Sequence, residues 1–322
     1  MPRSAKHIAF FIICIVALAI LCYAYLYIGL PEVDAATRDV IVRRLRLPRM
    51  LCAMGVGALL SVAGAIMQGV FRNPLVEPYT MGVSGGAVVG VALAFISGSV
   101  AAHGAVSITL GAALGGLLTL AVVLLMRRAV GYDTGVLLIC GIMISFVSSA
   151  VTTVLLALAS REDVSQVISW SIGSFDGVGE SMSFFVVTAG LLSTLLSVFL
   201  GNVVNVLSLG DAEARSLGVA PGRAVGWLFV FATLLAAVSV SAAGVVAFIG
   251  MAVPHLTRTL CGSDNRVVLP ASGLLGSLVM MACDLVAKTV ISPRELPAGA
   301  VCAVAGGVMF IYMTVRWKKR VD

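Results

Sequence analysis

Long apolar blocks alternate with short polar breaks along almost the whole chain. A membrane-crossing helix needs about 20 apolar residues. Ten blocks reach or approach that length, at residues 8–30, 48–70, 81–100, 105–126, 136–159, 182–200, 224–241, 244–260, 269–291 and 297–315. The stretch 224–260 cannot be one span, because its 37 residues would run roughly 55 Å as a helix. It must break, and Gly244 and Pro254 are the expected places. The pattern predicts an all-α polytopic protein of about ten transmembrane helices, one domain over 1–322, with both termini on one side. The segment VSQVISWSIGSFDGVG (164–179) is too short and too polar to span, and reads as a short outer or re-entrant helix.

The longest polar break in the second half, GNVVNVLSLGDAEARSLGVAPGR (201–223), contains a complete small helix signal. Asp211 and Glu213 sit where a first turn favours acids, and Arg215 sits where the last turn favours a cation. Gly218 is placed to stop the helix and Pro221 to open the next. A helix of about two turns is marginal alone in water, so it must pack against the bundle or a docking partner. Spacing by itself leaves open a partner's handle and a plain connector.

Composition narrows the class. The 322 residues are 60% hydrophobic and 11% charged, against about 25% charged in soluble domains, so the chain is an integral membrane protein. The glycines suit closely packed membrane helices, with GxxxG spacings at Gly86/Gly90 and Gly111/Gly115 that occur in many bundles. The seven cysteines are odd in number, lack a CxxC pair and lie mostly in apolar runs. They read as buried hydrophobes, and no metal-ligand cluster accompanies them. The net charge of +6 is scattered between apolar segments, which argues against a nucleic-acid partner. Block 8–30 follows Arg3 and Lys6, exceeds a signal-peptide core in length and reads as a retained span.

Charge orients the spans. With the N-terminus in the cytoplasm, inner segments hold Arg3, Lys6, Arg72, Arg127, Arg128, Arg215, Arg223, Arg258, Arg266, Arg316, Lys318, Lys319 and Arg320, or 13 of the 21 basic residues. That bias obeys the positive-inside rule. Arg38, Arg43, Arg44, Arg46 and Arg49 violate it in the first outer loop. An acidic partner docking from outside explains them, as does an amphipathic helix on the membrane surface.

Residues 64–87 read GAIMQGVFRNPLVEPYTMGVSGGA. Pro74 and Pro78 force an extended link between two spans, and Gln68 requires a hydrogen-bond partner inside the bundle. Here the chain resembles the FecCD-type permeases, in the pattern Q-x-x-x-R-N-P-L-x-x-P followed by M-G-x-S-x-G-A. Four further stretches agree in family order: RLPR at 46–49, LGDAEARSLGV at 209–219, GVVAFIGMAVPHLTR at 244–258, and ACDLVAK with ELPAGAVCAVAGGVMF across 282–310. The resemblance covers nearly the whole chain. It implies a type II ABC importer permease of ten helices: two identical or homologous permeases around one pore, two ATPase subunits and an extracytoplasmic binding protein. It also implies residence in the bacterial inner membrane, in contact with lipid.

By the same resemblance, Asp211, Ala212, Glu213, Ala214, Arg215, Ser216, Leu217 and Gly218 match the loop that docks into the ATPase. Arg46, Arg49 and Lys288 match contacts to the binding protein. Gln68, Asn73, Pro74, Pro254, His255 and Asp284 are structural or gate candidates. His255 reads as a packing histidine, and Asp284 stands in favourable i, i+4 order with Lys288. Two departures stand out. The family's G-x-P-x-F proline is absent near Gly307–Phe310, and Lys288 stands where arginine is frequent, keeping the charge without bidentate geometry.

The GxSGG string at 82–86 lacks the preceding strand that a hydrolase elbow needs. No lysine follows a glycine, so no Walker A motif exists and ATP must be hydrolysed by another polypeptide. The chain is expected to be no enzyme and to bind no cofactor or metal itself. A secondary transporter should show intramembrane carboxylates for coupling, and Asp284 alone qualifies by sequence. The expected cargo is a bulky metal chelate, a ferric siderophore first, with haem and cobalamin as alternatives.

Overall fold

The computed structural model describes residues 3–30, 33–130, 133–291 and 295–321, with side chains described throughout these except at 3–4, 128–130 and 313–321. Of the inner basic residues named above, the side chains of Arg3, Arg128, Arg316, Lys318, Lys319 and Arg320 therefore lie outside the described residues. Fourteen α-helices are described, in the order α1 (Arg3–Tyr27), α2 (Ala35–Val40), α3 (Leu47–Phe71), α4 (Val83–Ile96), α5 (Ser99–His103), α6 (Ala105–Val130), α7 (Thr134–Leu158), α8 (Arg161–Ser171), α9 (Glu180–Leu209), α10 (Asp211–Ser216), α11 (Pro221–Ala243), α12 (Ile249–Cys261), α13 (Asn265–Thr289) and α14 (Ala298–Val321). Seven of the helices are long and apolar enough to cross a membrane. α4 and the stretch Ala298–Tyr312 of α14 are shorter apolar helices.

The centre of the bundle is α3, in which all but Leu47, Leu51 and Met54 are buried. It packs on α9, α11, α12 and α13. Small residues permit this. A Cβ on Gly64 would lie 1.7 Å from the Gly250 carbonyl oxygen, so α3 and α12 touch backbone to backbone. The two GxxxG pairs also face each other, Gly86 against Gly115 and Gly90 against Gly111, and join α4 to α6. By contrast α1, α7 and α9 expose Ile13, Phe146, Leu158 and Phe199, as a chain solvated by lipid should.

Three boundaries depart from the sequence reading. No loop precedes α3: α2, in the stretch where an amphipathic helix was one of two readings, runs through a π-helical stretch, Ile41–Arg46, directly into α3. The polar break expected from residue 201 is still helix, because α9 continues to Leu209. Asn205 makes this possible by bonding across to Asp264 and Asn265, at 2.7–2.9 Å, at the start of α13. Finally, the 224–260 block breaks at 244–248 alone. Gly244 turns with φ +69, and Pro254 stays inside α12. A proline removes one N–H and one carbonyl partner, which a packed helix tolerates. Of the segment 164–179 only the first half is helical, as part of α8 (Arg161–Ser171), whose last turn meets the α11–α12 break at Gly244; 172–179 is an irregular link to α9.

Candidate functional site

Two charged assemblies lie at opposite ends of α3. The first begins where α3 stops. Arg72 ends the helix at φ +51, and the Asn73 side chain accepts from Leu75 N–H at 2.9 Å, closing the turn that Pro74 makes extended. Pro78 then opens a 3-10 turn, Pro78–Met81, ahead of α4. The connector is tied at both ends. Arg72 Nε donates to the Leu207 carbonyl at 3.1 Å, and its terminal nitrogen donates to Asp211 at 2.5 Å. Five residues on, the Glu77 carboxylate accepts from Phe248 N–H at 3.2 Å. Phe248 has φ +71, so Glu77 holds a strained residue at the start of α12. Arg72 and Phe248 are the two non-glycine residues at positive φ among those described, and the connector bonds or contains both.

α10 itself forms as its residues predict. Asp211 and Glu213 occupy its first turn and Arg215 its last. Gly218 has φ +81, with Gly218 N–H on Arg215 O and Val219 N–H on Ala214 O, a Schellman stop. Ala214 is fully buried and anchors the helix instead of facing a partner. The outward surface is Ala212, Glu213, Arg215, Ser216, Leu217 and Gly218, with Asp211 half-buried at its edge.

The second assembly sits at the start of α3. Arg49, expected as a docking cation, is buried. It grips Asp284 through Nε at 3.0 Å and a terminal nitrogen at 2.8 Å, and it also bonds Glu295. Tyr25 donates a further hydrogen bond to Asp284. Arg49 is thus held inside the chain, since a fully buried carboxylate demands a charged partner. Asp284 does not pair with Lys288 as its spacing suggested. Lys288 donates to the Tyr25 carbonyl at 3.3 Å and lies 4.3 Å over that ring. Arg46 caps the end of α1 through the carbonyls of Leu26, Ile28 and Gly29 at 2.7–3.0 Å. A cleft of about 480 Å3 opens beside them, lined among others by Arg44, Arg46, Lys288, Asp176 and Glu295. Arg44, which makes no ion pair among the described residues, is the exposed cation on its rim.

The remaining candidates make contacts within the bundle. Gln68 finds the partner its depth requires, donating to the Met251 carbonyl at 3.0 Å. His255 packs its ring edge against Phe310, 6.3 Å between centroids. Pro254 is buried within α12. Sequence reasoning missed Tyr25, Glu77 and Glu295. Glu77 carried a usable signal, a lone acid in an apolar link between two prolines. Glu77 is half-buried in the connector, and like Asp284 at the other end of α3 it has a donor within the chain.

The fold and these ends define a class: an all-helical, polytopic permease of the type II importer kind, with a short helix presented at one end. The chain belongs to the FecCD transport family, whose model matches residues 7–316. It is 36% identical over 329 residues to the iron(3+)-hydroxamate import system permease protein FhuB of Bacillus subtilis (strain 168), covering 96% of this chain and 84% of that one. It is 35% identical over 304 residues to the vitamin B12 import system permease protein BtuC of Vibrio cholerae, covering 92% and 90%. A solved inward-facing structure assigned to the metal-chelate type of ABC transporter superposes with a TM-score of 0.86 at 29% identity, covering 94% of this chain and 97% of that chain. PsaBC from Streptococcus pneumoniae, at 18% identity and a TM-score of 0.58 over 86% and 94%, shares the fold alone. The chain is therefore the non-catalytic permease subunit of a bacterial ABC importer, which works with ATPase and binding-protein subunits.

Proposed function

We propose that this permease carries a bulky metal chelate, a ferric siderophore first, across the inner membrane, as one of two identical or homologous permeases above two ATPases. The observation that carries the mechanical part is the tie from Asp211 through Arg72 and the connector to Glu77 and Phe248. It gives α10 a direct connection to the α11–α12 break. In this reading α10 seats in the ATPase, with Glu213, Arg215 and Leu217 on the contact face. Its displacement pulls the connector, and the strained start of α12 moves with it. Both termini face the cytoplasm with α10, in line with the basic residues on that side. ATP and its magnesium stay on the partner subunit, and this chain needs no cofactor of its own.

The iron-hydroxamate relative supports the siderophore cargo. The B12 relative, nearly as similar, supports cobalamin as the second reading, and haem is the third. On the outer face, Arg44 and the rim of its cleft take the role of meeting an acidic binding protein, with Arg46 and Lys288 contributing from behind. Arg49 and Asp284 hold that surface in shape.

The test is a reconstituted vesicle containing this permease, its ATPase and its binding protein. Ferric hydroxamate, cyanocobalamin and haemin are each offered, and uptake and ATP hydrolysis are measured together. Uptake of ferric hydroxamate above the other two supports the cargo, and uptake of cyanocobalamin alone refutes it. Replacing Arg72 with Gln should lower uptake per ATP hydrolysed. An unchanged ratio would remove the connector from the mechanism.

A further inference from the structure

The end of the bundle that carries α10 holds another cationic feature. The last turn of α6 lies against the first turns of α11. Between them is a cleft of about 270 Å3 lined by Arg127, Arg223, Gly226, Trp227 and Val230. Gly226 makes room for the Arg127 guanidinium, since a Cβ there would stand 2.1 Å from one of its nitrogens. One terminal nitrogen of Arg127 donates to the Gly222 carbonyl, while Nε is buried without a partner. Arg223 is exposed. Among the described residues, neither arginine has a carboxylate within ion-pair distance. Trp227 stands beside them, 76% exposed. Two turns farther along α11, on the same face as Trp227, Leu234 is exposed as well, so this flank is apolar beyond the charged end.

Two unneutralised guanidinium groups at the end of a span, a bare indole next to them and an apolar wall beyond match one ligand in order. That ligand is a phosphate, then a glycerol backbone, then acyl chains. Arginine forks fit phosphate oxygens, indole settles at the headgroup level, and basic pockets between membrane helices hold anionic headgroups. An acidic protein surface would satisfy the arginines but leave the apolar wall unexplained. We propose that this cleft binds the phosphate of an anionic phospholipid, with Arg127 and Arg223 on its oxygens and Trp227 along its glycerol. Its assignment to the cytoplasmic leaflet rests on the orientation proposed above; the site itself does not.

The experiment uses the full-length permease in phosphatidylcholine vesicles doped with brominated phosphatidylglycerol or, separately, brominated phosphatidylcholine. Tryptophan quenching is read, and Trp227→Phe isolates the contribution of Trp227. Brominated phosphatidylglycerol should quench Trp227 more strongly than brominated phosphatidylcholine at equal mole fraction. Each cation near an anionic headgroup is worth about fivefold in binding, so Arg223→Gln should weaken the preference about fivefold and a double Gln variant about 25-fold. Because Arg127 also holds Gly222, Arg223→Gln is the primary variant, and unchanged melting confirms its fold. The preference should also fall as salt rises. Equal quenching by the two lipids, or an unchanged preference in Arg223→Gln, overturns the proposal. So does loss of the co-purified ATPase with lipid preference intact, which would give the cleft to an acidic protein surface.

Discussion

Removing Asp284 is the sharpest test of how the start of α3 is held. Its side chain is fully buried and accepts two hydrogen bonds from Arg49 and one from Tyr25. In Asp284→Leu the Arg49 guanidinium keeps only Glu295, whose side chain is 42% exposed, and the Tyr25 hydroxyl loses its acceptor. Deleting one partner of a buried ion pair costs about 3–5 kcal/mol, whereas replacing both by apolar groups is often neutral or stabilising. At about 2 °C per kcal/mol for a chain of this size, Asp284→Leu should melt about 6–10 °C below wild type. The Arg49→Met/Asp284→Leu double variant should recover most of that loss. Thermal unfolding of purified protein in one detergent, followed by intrinsic fluorescence, measures all three. If the single variant melts within about 2 °C of wild type, or the double variant is as unstable as the single, the pair is not a desolvated unit and the reasoning fails. The same outcome would return Arg49 to the docking surface. Transport by the recovered double variant separates stability from gating, since a purely structural pair leaves uptake intact.

Three further expectations follow. Gly218→Val has no neighbour to strike, but it must adopt φ +81, which costs roughly 1 kcal/mol or more. Uptake per ATP hydrolysed should fall, and an unchanged ratio would make α10 a plain connector. Gly64→Ala drives a methyl group into the Gly250 carbonyl, so α3 and α12 must separate. Assembled transporter should decrease in size-exclusion profiles, and a wild-type profile would show that the contact yields. Asp264 caps α13 and bonds Arg266 and Asn205. These partners, Arg266 first, hold its carboxyl well below the usual carboxylate range. Its contribution is therefore complete above the unfolded carboxylate pKa of about 3.9 and is lost as pH falls through the lower folded value. Asp264→Asn should melt below wild type near neutral pH, and its melting temperature should depend less on pH below about 4. An equal acid slope in both would remove Asp264 from the acid response.

What the sequence determined by itself was local. The apolar period specifies the passes, because lipid forces every backbone group to bond within its own helix. The α10 helix and its Gly218 stop are legible because caps and left-handed glycines act within a few residues. That Gln68 needs a partner was equally clear, though not that the partner would be Met251. The fate of the charges was decided only when the helices met. Arg49 stands in an outer loop by sequence, yet its partner Asp284 lies 235 residues away, and no spacing rule reaches that far. The same holds for Lys288, which packing draws to Tyr25, and for Glu77, whose role depends on where α12 begins. The helix after residue 201 continues because α13 offers Asn205 its partners, and after the break at Gly244 α12 starts at Phe248, where Glu77 holds a strained backbone. Burial turns a surface cation into a structural one, and burial is a property of the assembled bundle.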